Sequence, residues 1–218
     1  MVVSSTPLIL VIDTSAAQCS VVVHDGERLR ASVNHEPGRA LAERIVGYCA
    51  DVLRDAGADW SAVTEIAVVV GPGSFAGLRA GVAAARGFGV ALGVPVQGIT
   101  TLEAIARAAR GREVLATLPG PRDLVFAQPF DRDGAPLADA VLGSVEEIGE
   151  RWTSVGEIVG PAADCFSDVH RAADLPIGDV ALLAWERARS DERRPAEPFY
   201  LRDAVTPPAR SVAENAVA

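Results

Sequence analysis

Two short segments of the 218-residue sequence have residue types and spacing that could support phosphate chemistry. Asp13, Thr14 and Ser15 directly follow the apolar run LILVI. A carboxylate at the end of a buried strand can act as the general base of a phosphotransferase. The segment GPGS at residues 71–74 follows a second apolar run, EIAVVV, and its backbone amides could surround an anion at the start of a helix. These two segments are the candidates for cofactor binding.

Neither segment matches a nucleotide-binding or nucleophile motif. A P-loop requires a lysine beside its second glycine, and the chain contains no lysine. A dinucleotide fingerprint requires G-x-G-x-x-G, whereas the glycine that follows Gly71 and Gly73 is Gly77, one residue too late. GPGSF also departs from the nucleophile elbow G-x-S-x-G, because Phe75 replaces the second glycine. We therefore predict no catalytic residue and no cofactor, and we interpret Asp13 as a turn-forming aspartate.

The histidines and cysteines indicate no metal site. No two histidines have the i, i+4 spacing that binds a metal ion from one helix. The cysteines form no C-x-x-C pair and are odd in number, which predicts neither a zinc site nor a disulfide framework. These residues are His24, His35, His170, Cys19, Cys49 and Cys165.

Composition and charge limit the classes of partner. The formal net charge is -9, so clustered cations that could bind a phosphate backbone are scarce. If RNA is involved, we expect another chain to hold it. Hydrophobic residues make up 49% and charged residues 22%, as in ordinary globular proteins. No apolar run approaches the roughly 20 residues that span a bilayer, so we expect no membrane partner and a cytoplasmic location.

Apolar runs and turn signals predict an α/β protein. Three strands in meander order, over 8–15, 19–25 and 26–34, precede a helix that begins after Pro37 and ends at Gly57. Strand, helix, strand and helix then alternate up to residue 110, and a more irregular, strand-rich half follows. Later strands are predicted over 113–118, 123–130, 135–141 and 155–160, and later helices over 144–152 and 180–189.

This order of elements favours two lobes. We expect an N-terminal lobe over 1–100, which carries the first two helices, and a smaller C-terminal lobe over 101–218. The tail after Pro208 has little apolar surface to bury, and we expect it to fray.

The helix after the GPGS segment contains a small residue at every fourth position. The small residues are Gly77, Gly81, Ala85, Gly89 and Gly93. Each glycine in a helix interior costs ~1 kcal/mol relative to alanine, so close packing must compensate. The stripe lets another backbone approach closely, either the chain's own sheet or a second protein.

The first predicted helix has two adjacent apolar stripes, which is more surface than one sheet contact requires. One stripe is Leu41, Ile45, Tyr48 and Val52, and the other is Ala42, Val46, Cys49 and Leu53. Two neighbouring helices with excess packing surface favour a helical interface with another chain. The predicted partner-binding residues are Leu41, Ile45, Tyr48, Val52, Phe75, Leu78, Arg79, Gly81, Val82, Arg86 and Gly89.

Three segments of the sequence together resemble the TsaB (YeaZ) family. They are IDTSAAQCSVVV, GPGSFAGLRAGVAAARGFG and VPVQGITTLEAIA, and the resemblance spans residues 8–107. It implies the actin-like ATPase fold of sugar kinases, Hsp70 and actin, with two lobes of related topology.

The resemblance also implies a function. Members of this family are non-catalytic subunits in the synthesis of threonylcarbamoyladenosine at position 37 of tRNAs that read ANN codons. They pair with the catalytic paralogue TsaD, through the first two helices of each protein, and support recruitment of the ATPase TsaE. Homodimers form through the same helices. The alternative for this chain is an actin-fold phosphotransferase or a peptidase-like enzyme.

The sequence departs from the family pattern at three places. A glycine common after the first strand is absent from residues 13–15, which weakens phosphate binding there. Ala76 replaces the usual threonine, whereas Arg79 matches the motif. LPGPRDL at 118–124 replaces an Asp-Ala-Arg-Arg-like turn. The segment PFYLRDAV at 198–205 again resembles the end of family members.

Overall fold

The computed structural model describes most of the chain. The described residues are 7–16, 18–35, 41–152, 155–166, 170–171, 177–190 and 192–201. The tail that was predicted to fray lies outside these residues.

Ten strands and five α-helices follow one another in the described residues. The strands are β1 Ile9–Asp13, β2 Cys19–His24, β3 Leu29–His35, β4 Glu65–Gly71, β5 Val96–Thr100, β6 Val114–Pro119, β7 Val125–Phe130, β8 Val141–Gly143, β9 Glu157–Val159 and β10 His170–Arg171. The helices are α1 Leu41–Asp55, α2 Phe75–Leu92, α3 Thr101–Ala108, α4 Val145–Arg151 and α5 Ile177–Ser190. Short 3₁₀ helices occupy Trp60–Ala62 and Ala163–Cys165.

The strands form two five-stranded sheets of the same topology. In the first, the order is β3-β2-β1-β4-β5, with β1 antiparallel to β2 and parallel to β4. In the second, the order is β10-β9-β6-β7-β8, with β6 antiparallel to β7 and parallel to β9. Each sheet is thus a three-stranded meander whose first strand also pairs with the first of two later parallel strands. The prediction of two units of related topology is confirmed.

Helices cover both faces of the first sheet, which explains why its central strands β1 and β4 are apolar at nearly every position. Leu10 and Ile12 of β1 lie on the face that packs against α1 and α2. Ile9 and Val11 alternate with them and lie on the opposite face, against α5 and part of α3. All four are completely buried, as expected for a strand between two helical layers.

Helix α3 packs against both sheets. Its Ala104 belongs to the core on the first sheet, whereas Leu102 and Ile105 belong to the core on the second sheet. The helix begins with a capping box, in which the Thr100 hydroxyl accepts from the Glu103 amide and the Glu103 carboxylate accepts from the Thr100 amide. One short helix therefore joins the two cores.

Helix α5 returns to the first sheet although it lies far beyond residue 100. Its buried residues Val180, Ala181 and Ala184 contact the side chains of the first sheet. The division of the chain into lobes at residue 100 stays a prediction. Helix α5 belongs to the second half of the sequence but packs against the first sheet.

The strand predicted over 135–141 is wrong for most of its length, since β8 begins only at Val141. Before it the chain forms a turn in which the Asp131 carboxylate accepts from the amides of Asp133 and Ala135. Only an isolated bridge between Phe130 and Pro136 pairs this stretch with β7. Side-chain to backbone bonds of this kind compete with the ladder of a sheet.

The small-residue stripe of α2 faces the chain's own first sheet. A Cβ on Gly77 would overlap the carbonyl oxygen of Thr14, and one on Gly81 would overlap the Thr14 hydroxyl. A Cβ on Gly89 would overlap the side chain of Val96 in β5. Gly81 and Gly89 thus pack against the chain itself, and their predicted contact with a partner stays a prediction. Their lack of a side chain lets α2 lie directly on the turn after β1 and on β5.

Substituting glycines of α2 with alanine distinguishes the effect of close packing on stability from the effect of helix propensity. We expect Gly77→Ala to destabilise the chain by about 1–3 kcal/mol, because the new methyl group displaces the Thr14 carbonyl. Gly87→Ala is the matched control in the same helix, since nothing lies within 4 Å of its Cβ position. The control should be neutral or stabilising by up to ~1 kcal/mol. Urea unfolding of the isolated chain measures both, and equal effects would contradict the packing role.

Candidate functional site

The turn after β1 is bonded to the start of α2 and is not an open phosphate hairpin. The Thr14 hydroxyl donates to the Gly77 carbonyl at 2.7 Å, and the Ser74 amide donates to the Ser15 carbonyl at 2.7 Å. Ser74 caps α2, because its hydroxyl accepts from the Gly77 amide. The two segments with candidate phosphate-binding groups thus use several of those groups to bind each other.

Asp13 is a buried carboxyl with a local partner. It is 4% exposed, and its Oδ1 accepts from the Ser15 amide at 2.8 Å. Burial raises the pKa of Asp13 above its ordinary value, and the bonds from Ser15 offset this only in part. Because the Asp13 carboxyl is buried and already accepts a hydrogen bond from the Ser15 amide, these observations support the interpretation of Asp13 as a turn-forming residue.

A large cleft lies between the β1 turn, the start of α2 and the β6–β7 turn. Its volume is about 1040 Å³. Its described lining residues include no aspartate, glutamate, arginine, lysine or histidine. They are Ser15, Ala16, Pro72, Gly73, Ser74, Phe75, Leu78, Thr101, Leu118, Pro119, Gly120, Pro121, Phe126, Pro161, Phe199, Tyr200 and Leu201. A phosphate group in this cleft would meet no side chain that neutralises its charge.

A C-terminal strap, residues 192–201, forms one edge of this cleft. It has no regular secondary structure, but its backbone pairs with the first sheet. The Gly98 amide donates to the Arg194 carbonyl at 2.9 Å, and the Phe199 amide donates to the Val70 carbonyl at 2.8 Å. These bonds bring the aromatic pair Phe199 and Tyr200 to the cleft wall.

Two buried glutamates fix the strap and α5 by ion pairs. Glu103 accepts from Arg187 of α5 at 2.6 Å and from Arg194 of the strap. Glu65 accepts from the Arg193 guanidinium at 3.0 and 3.1 Å. Burial alone would raise the pKa of Glu103, but the two arginines outweigh it, and its pKa lies below the ordinary value.

The second candidate site is the outer surface of α1 and α2, which we call the helix face. Its exposed residues are Ala42 and Val46 of α1 and Ala83, Gly87 and Val90 of α2. Val46 is 53% exposed and Val90 is 86% exposed, although both are fully apolar. A groove of about 310 Å³ runs between the helices, lined by Ala42, Ile45, Val46, Ala80, Ala83, Ala84, Gly87 and Phe88.

The predicted partner-binding residues divide between the core and the surface. Ile45, Val52 and Val82 are buried in the core of the first sheet, and Leu78 is buried as well. Leu41 and Tyr48 are partly buried against the same core. The chain's own core covers most of the surface of these four side chains, although Ile45 also lines the groove between the helices. Their contact with a partner stays a prediction.

Three predicted partner-binding residues do lie on the surface. Phe75, Arg79 and Arg86 are exposed on α2, and the Arg79 guanidinium lies 4.7 Å from the centre of the Phe75 ring. Their role in binding stays a prediction. The second stripe of α1, with Ala42 and Val46, was the signal in the sequence for the surface that the structure leaves open.

Helix α2 is unusually apolar for a helix so little covered. By length and composition alone it could cross a membrane, yet only a third of it is buried. One side rests on the first sheet, and much of the remainder faces outward. Within the part of the chain that the structure describes, no three His, Cys, Asp or Glu side chains are grouped in a way that could hold a metal ion.

The paired sheets, the shared topology and the cleft define a protein with the actin-like ATPase fold. A family model described as TsaD, tRNA N6-adenosine threonylcarbamoyltransferase, matches residues 33–179.

Relatives in sequence and structure specify the family. The chain is 34% identical over 225 residues to the tRNA threonylcarbamoyladenosine biosynthesis protein TsaB of Haemophilus influenzae, covering 91% of this chain and 94% of that protein. It is 30% identical to an uncharacterized protein of Mycobacterium tuberculosis, covering 89% and 91%. The structure of YeaZ from Pseudomonas aeruginosa matches with a TM-score of 0.76 and 25% identity, covering 89% of this chain and all of that one. The chain belongs to the TsaB (YeaZ) family.

The ion pairs of Glu103 predict a pH-dependent stability. Because the folded-state pKa of Glu103 lies below its unfolded value of about 4.3, its contribution is present above that pH and disappears as the pH falls through the folded-state pKa. We expect Glu103→Gln to cost about 3 kcal/mol at pH 7, since Arg187 loses its buried partner. The difference from wild type should shrink in acid.

A matched control is Glu186→Gln, which removes an exposed carboxylate paired with Arg107 and Arg110. It should cost less than about 1 kcal/mol. Urea unfolding at pH 7 and near pH 3 distinguishes the two variants. A Glu103→Gln effect that is equally large at both pH values would exclude the electrostatic explanation.

Proposed function

We propose that the chain is a non-catalytic accessory subunit in the synthesis of threonylcarbamoyladenosine at position 37 of tRNAs that read ANN codons. It pairs through the helix face with a TsaD-type catalytic paralogue, and the pair works with a TsaE-type ATPase. Membership of the TsaB family, with relatives named for this biosynthesis, supports the pathway. The observation that carries the pairing is the apolar helix face.

The helix face has the character of a surface that another protein covers. Val46 lines a groove whose residues are largely alanine and glycine, and Val90 is exposed on α2 outside that groove. Small side chains let a second helix pair approach closely, and burying the two valines contributes roughly 25 cal/mol for each Å² removed from water. Arg79 and Arg86 are exposed on the same helix and suit the polar rim of such an interface.

A paralogue of the same fold is a suitable occupant. The TsaD family model matches residues 33–179, a range that includes all of α1 and α2. A TsaD-type protein therefore has an equivalent helix pair, and two such pairs can pack as a four-helix bundle. A homodimer through the same helices is the arrangement available when the paralogue is absent.

The cleft supports a non-catalytic role over the phosphotransferase alternative. A phosphotransferase needs an accessible carboxylate base and groups that neutralise phosphate charge. Asp13 is buried and bonded to Ser15, and the described cleft lining has no charged side chain. The described cleft lining has no cationic side chain and the net charge of the chain is -9. We therefore infer that tRNA contacts the complex mainly through the paralogue. The proposed location is the cytoplasm.

Charge substitution on the helix face tests the pairing. We expect Val46→Asp and Val90→Asp each to weaken co-purification with the TsaD-type paralogue at least about tenfold, since a carboxylate would be buried without a partner. Both side chains are exposed in the isolated chain, so its thermal unfolding should not change.

The matched control is Leu137→Asp. Leu137 is also 53% exposed and apolar but lies in the loop before β8, away from α1 and α2. It should pair normally and should restore threonylcarbamoyladenosine in the tRNA of a strain that lacks the chain. Normal pairing by both helix-face variants would refute the proposed interface.

The isolated chain provides a test of the non-catalytic role. We expect no ATP hydrolysis above that of a buffer blank, because no described side chain in the cleft can neutralise the triphosphate. We also expect no micromolar binding of tRNA at physiological salt. Phosphate release and fluorescence anisotropy measure these, and ATP turnover that depends on Asp13 would favour the phosphotransferase instead.

A further inference from the structure

The cleft between the β1 turn and the β6–β7 turn is large enough for a small molecule. Its volume of about 1040 Å³ lies at the upper end of the range of roughly 300–1,000 Å³ that is typical of ligand pockets. One wall is the turn at 118–121, which consists of leucine, proline and glycine. This turn lies in the segment 118–124 that departs from the family pattern. The proposed pairing through the helix face does not use this wall.

The residues that line the cleft favour an uncharged ligand over a charged one. The described side chains around the cleft are aliphatic, aromatic, proline or hydroxyl groups. A charged ligand would lose its hydration on entry and gain no opposite charge in return. An uncharged ligand would lose little, and its apolar surface would be removed from water.

Aromatic rings at the mouth of the cleft suit a planar ligand. The rings of Phe75 and Tyr200 lie 5.1 Å apart, and both side chains are substantially exposed, at 57% and 45%. Phe126 and Phe199 line the cleft as well. Offset or edge-to-face packing against such rings is the usual way in which proteins hold an aromatic group.

One hydroxyl on the wall lacks a hydrogen-bond partner. Ser15 is 5% exposed, and its Oγ makes no hydrogen bond in the structure. By contrast, the Thr101 hydroxyl, also on the wall, donates to the Pro72 carbonyl at 2.7 Å. The Ser15 oxygen has almost no accessible surface, and the Thr101 hydroxyl is already bonded, so these two hydroxyls offer a ligand little polar contact.

We propose that this cleft is a binding site for an uncharged small molecule that contains an aromatic ring. The strap holds the aromatic wall in place through the Phe199–Val70 backbone bond, so the site exists before the ligand arrives. It is separate from the helix face and does not depend on the proposed pairing.

The test uses the neutral dye Nile red and two naphthalene probes with the full-length chain. We expect one dye molecule to bind each chain saturably, and the fluorescence of the dye measures this binding. 2-Naphthamide, which is neutral and has an amide, should displace the dye at least tenfold more effectively than the anion 2-naphthoate. Equal displacement by the two probes would overturn the selectivity for uncharged ligands.

Three variants locate the bound dye. Ala16→Arg places a charge on an exposed position of the cleft wall and should weaken dye binding at least tenfold. Gln18→Arg is the matched control, since it adds the same charge at an exposed position outside the lining and should change binding less than twofold. Val90→Asp on the helix face should also leave binding within twofold.

Three other results would contradict the proposal that the cleft binds a ligand. Absence of saturable dye binding to the wild type would overturn the proposal, as would unchanged binding to Ala16→Arg when its thermal unfolding matches that of the wild type. Loss of binding in Val90→Asp would show that the dye occupies the helix face. None of these results bears on whether the chain pairs with its paralogue, which co-purification measures separately.

Discussion

Close contact between α2 and the turn after β1 is the constraint on which the rest of the structure depends. The Thr14 hydroxyl bonds the Gly77 carbonyl of the helix, and no side chain fits between them. Three glycines and one alanine at four-residue spacing let the helix lie on the turn and on β5. Since each interior glycine weakens a helix, this docking has to supply the compensating stability.

The same contact explains both candidate sites. The turn that holds α2 uses its hydroxyl and carbonyl groups on the helix, so the start of the cleft has few polar groups left for a phosphate. The helix in turn rests on the sheet with its small residues together with Leu78 and Val82, whereas Val90 points away from the core. The docking that occupies the polar groups of the turn therefore also leaves apolar surface of α2 exposed.

Periodicity predicted most of the fold, because the strands of the first sheet are apolar on both faces and α1 has a clear helical repeat. The helix predicted over 144–152 agrees with α4, which Ser144 and Glu147 cap through a reciprocal pair of hydrogen bonds. Periodicity failed over 135–141, where the Asp131 carboxylate organises a turn that an alternating pattern does not reveal.

The site was harder to predict than the fold. A stripe of small residues implies close packing but does not say against what, and in α2 the chain's own Thr14 and Val96 are the neighbours. The two stripes of α1 posed the same ambiguity, and the structure buries the stripe of Ile45 and Val52 while it leaves Val46 open. The cleft was not predictable at all, since its walls come from distant turns and from the strap.

Helix α3 has a mechanical consequence for that cleft. All residues from Thr101 to Ala106 are buried; Ala104 belongs to the core on the first sheet, and Leu102, Ile105 and Ala106 belong to the core on the second. A hinge motion of one sheet relative to the other would have to pull this helix out of one of its two cores. Phe199 of the strap also packs against the cores on both sheets. The width of the cleft is consequently set by packing that is already complete, so whatever enters it must match its shape and cannot close it.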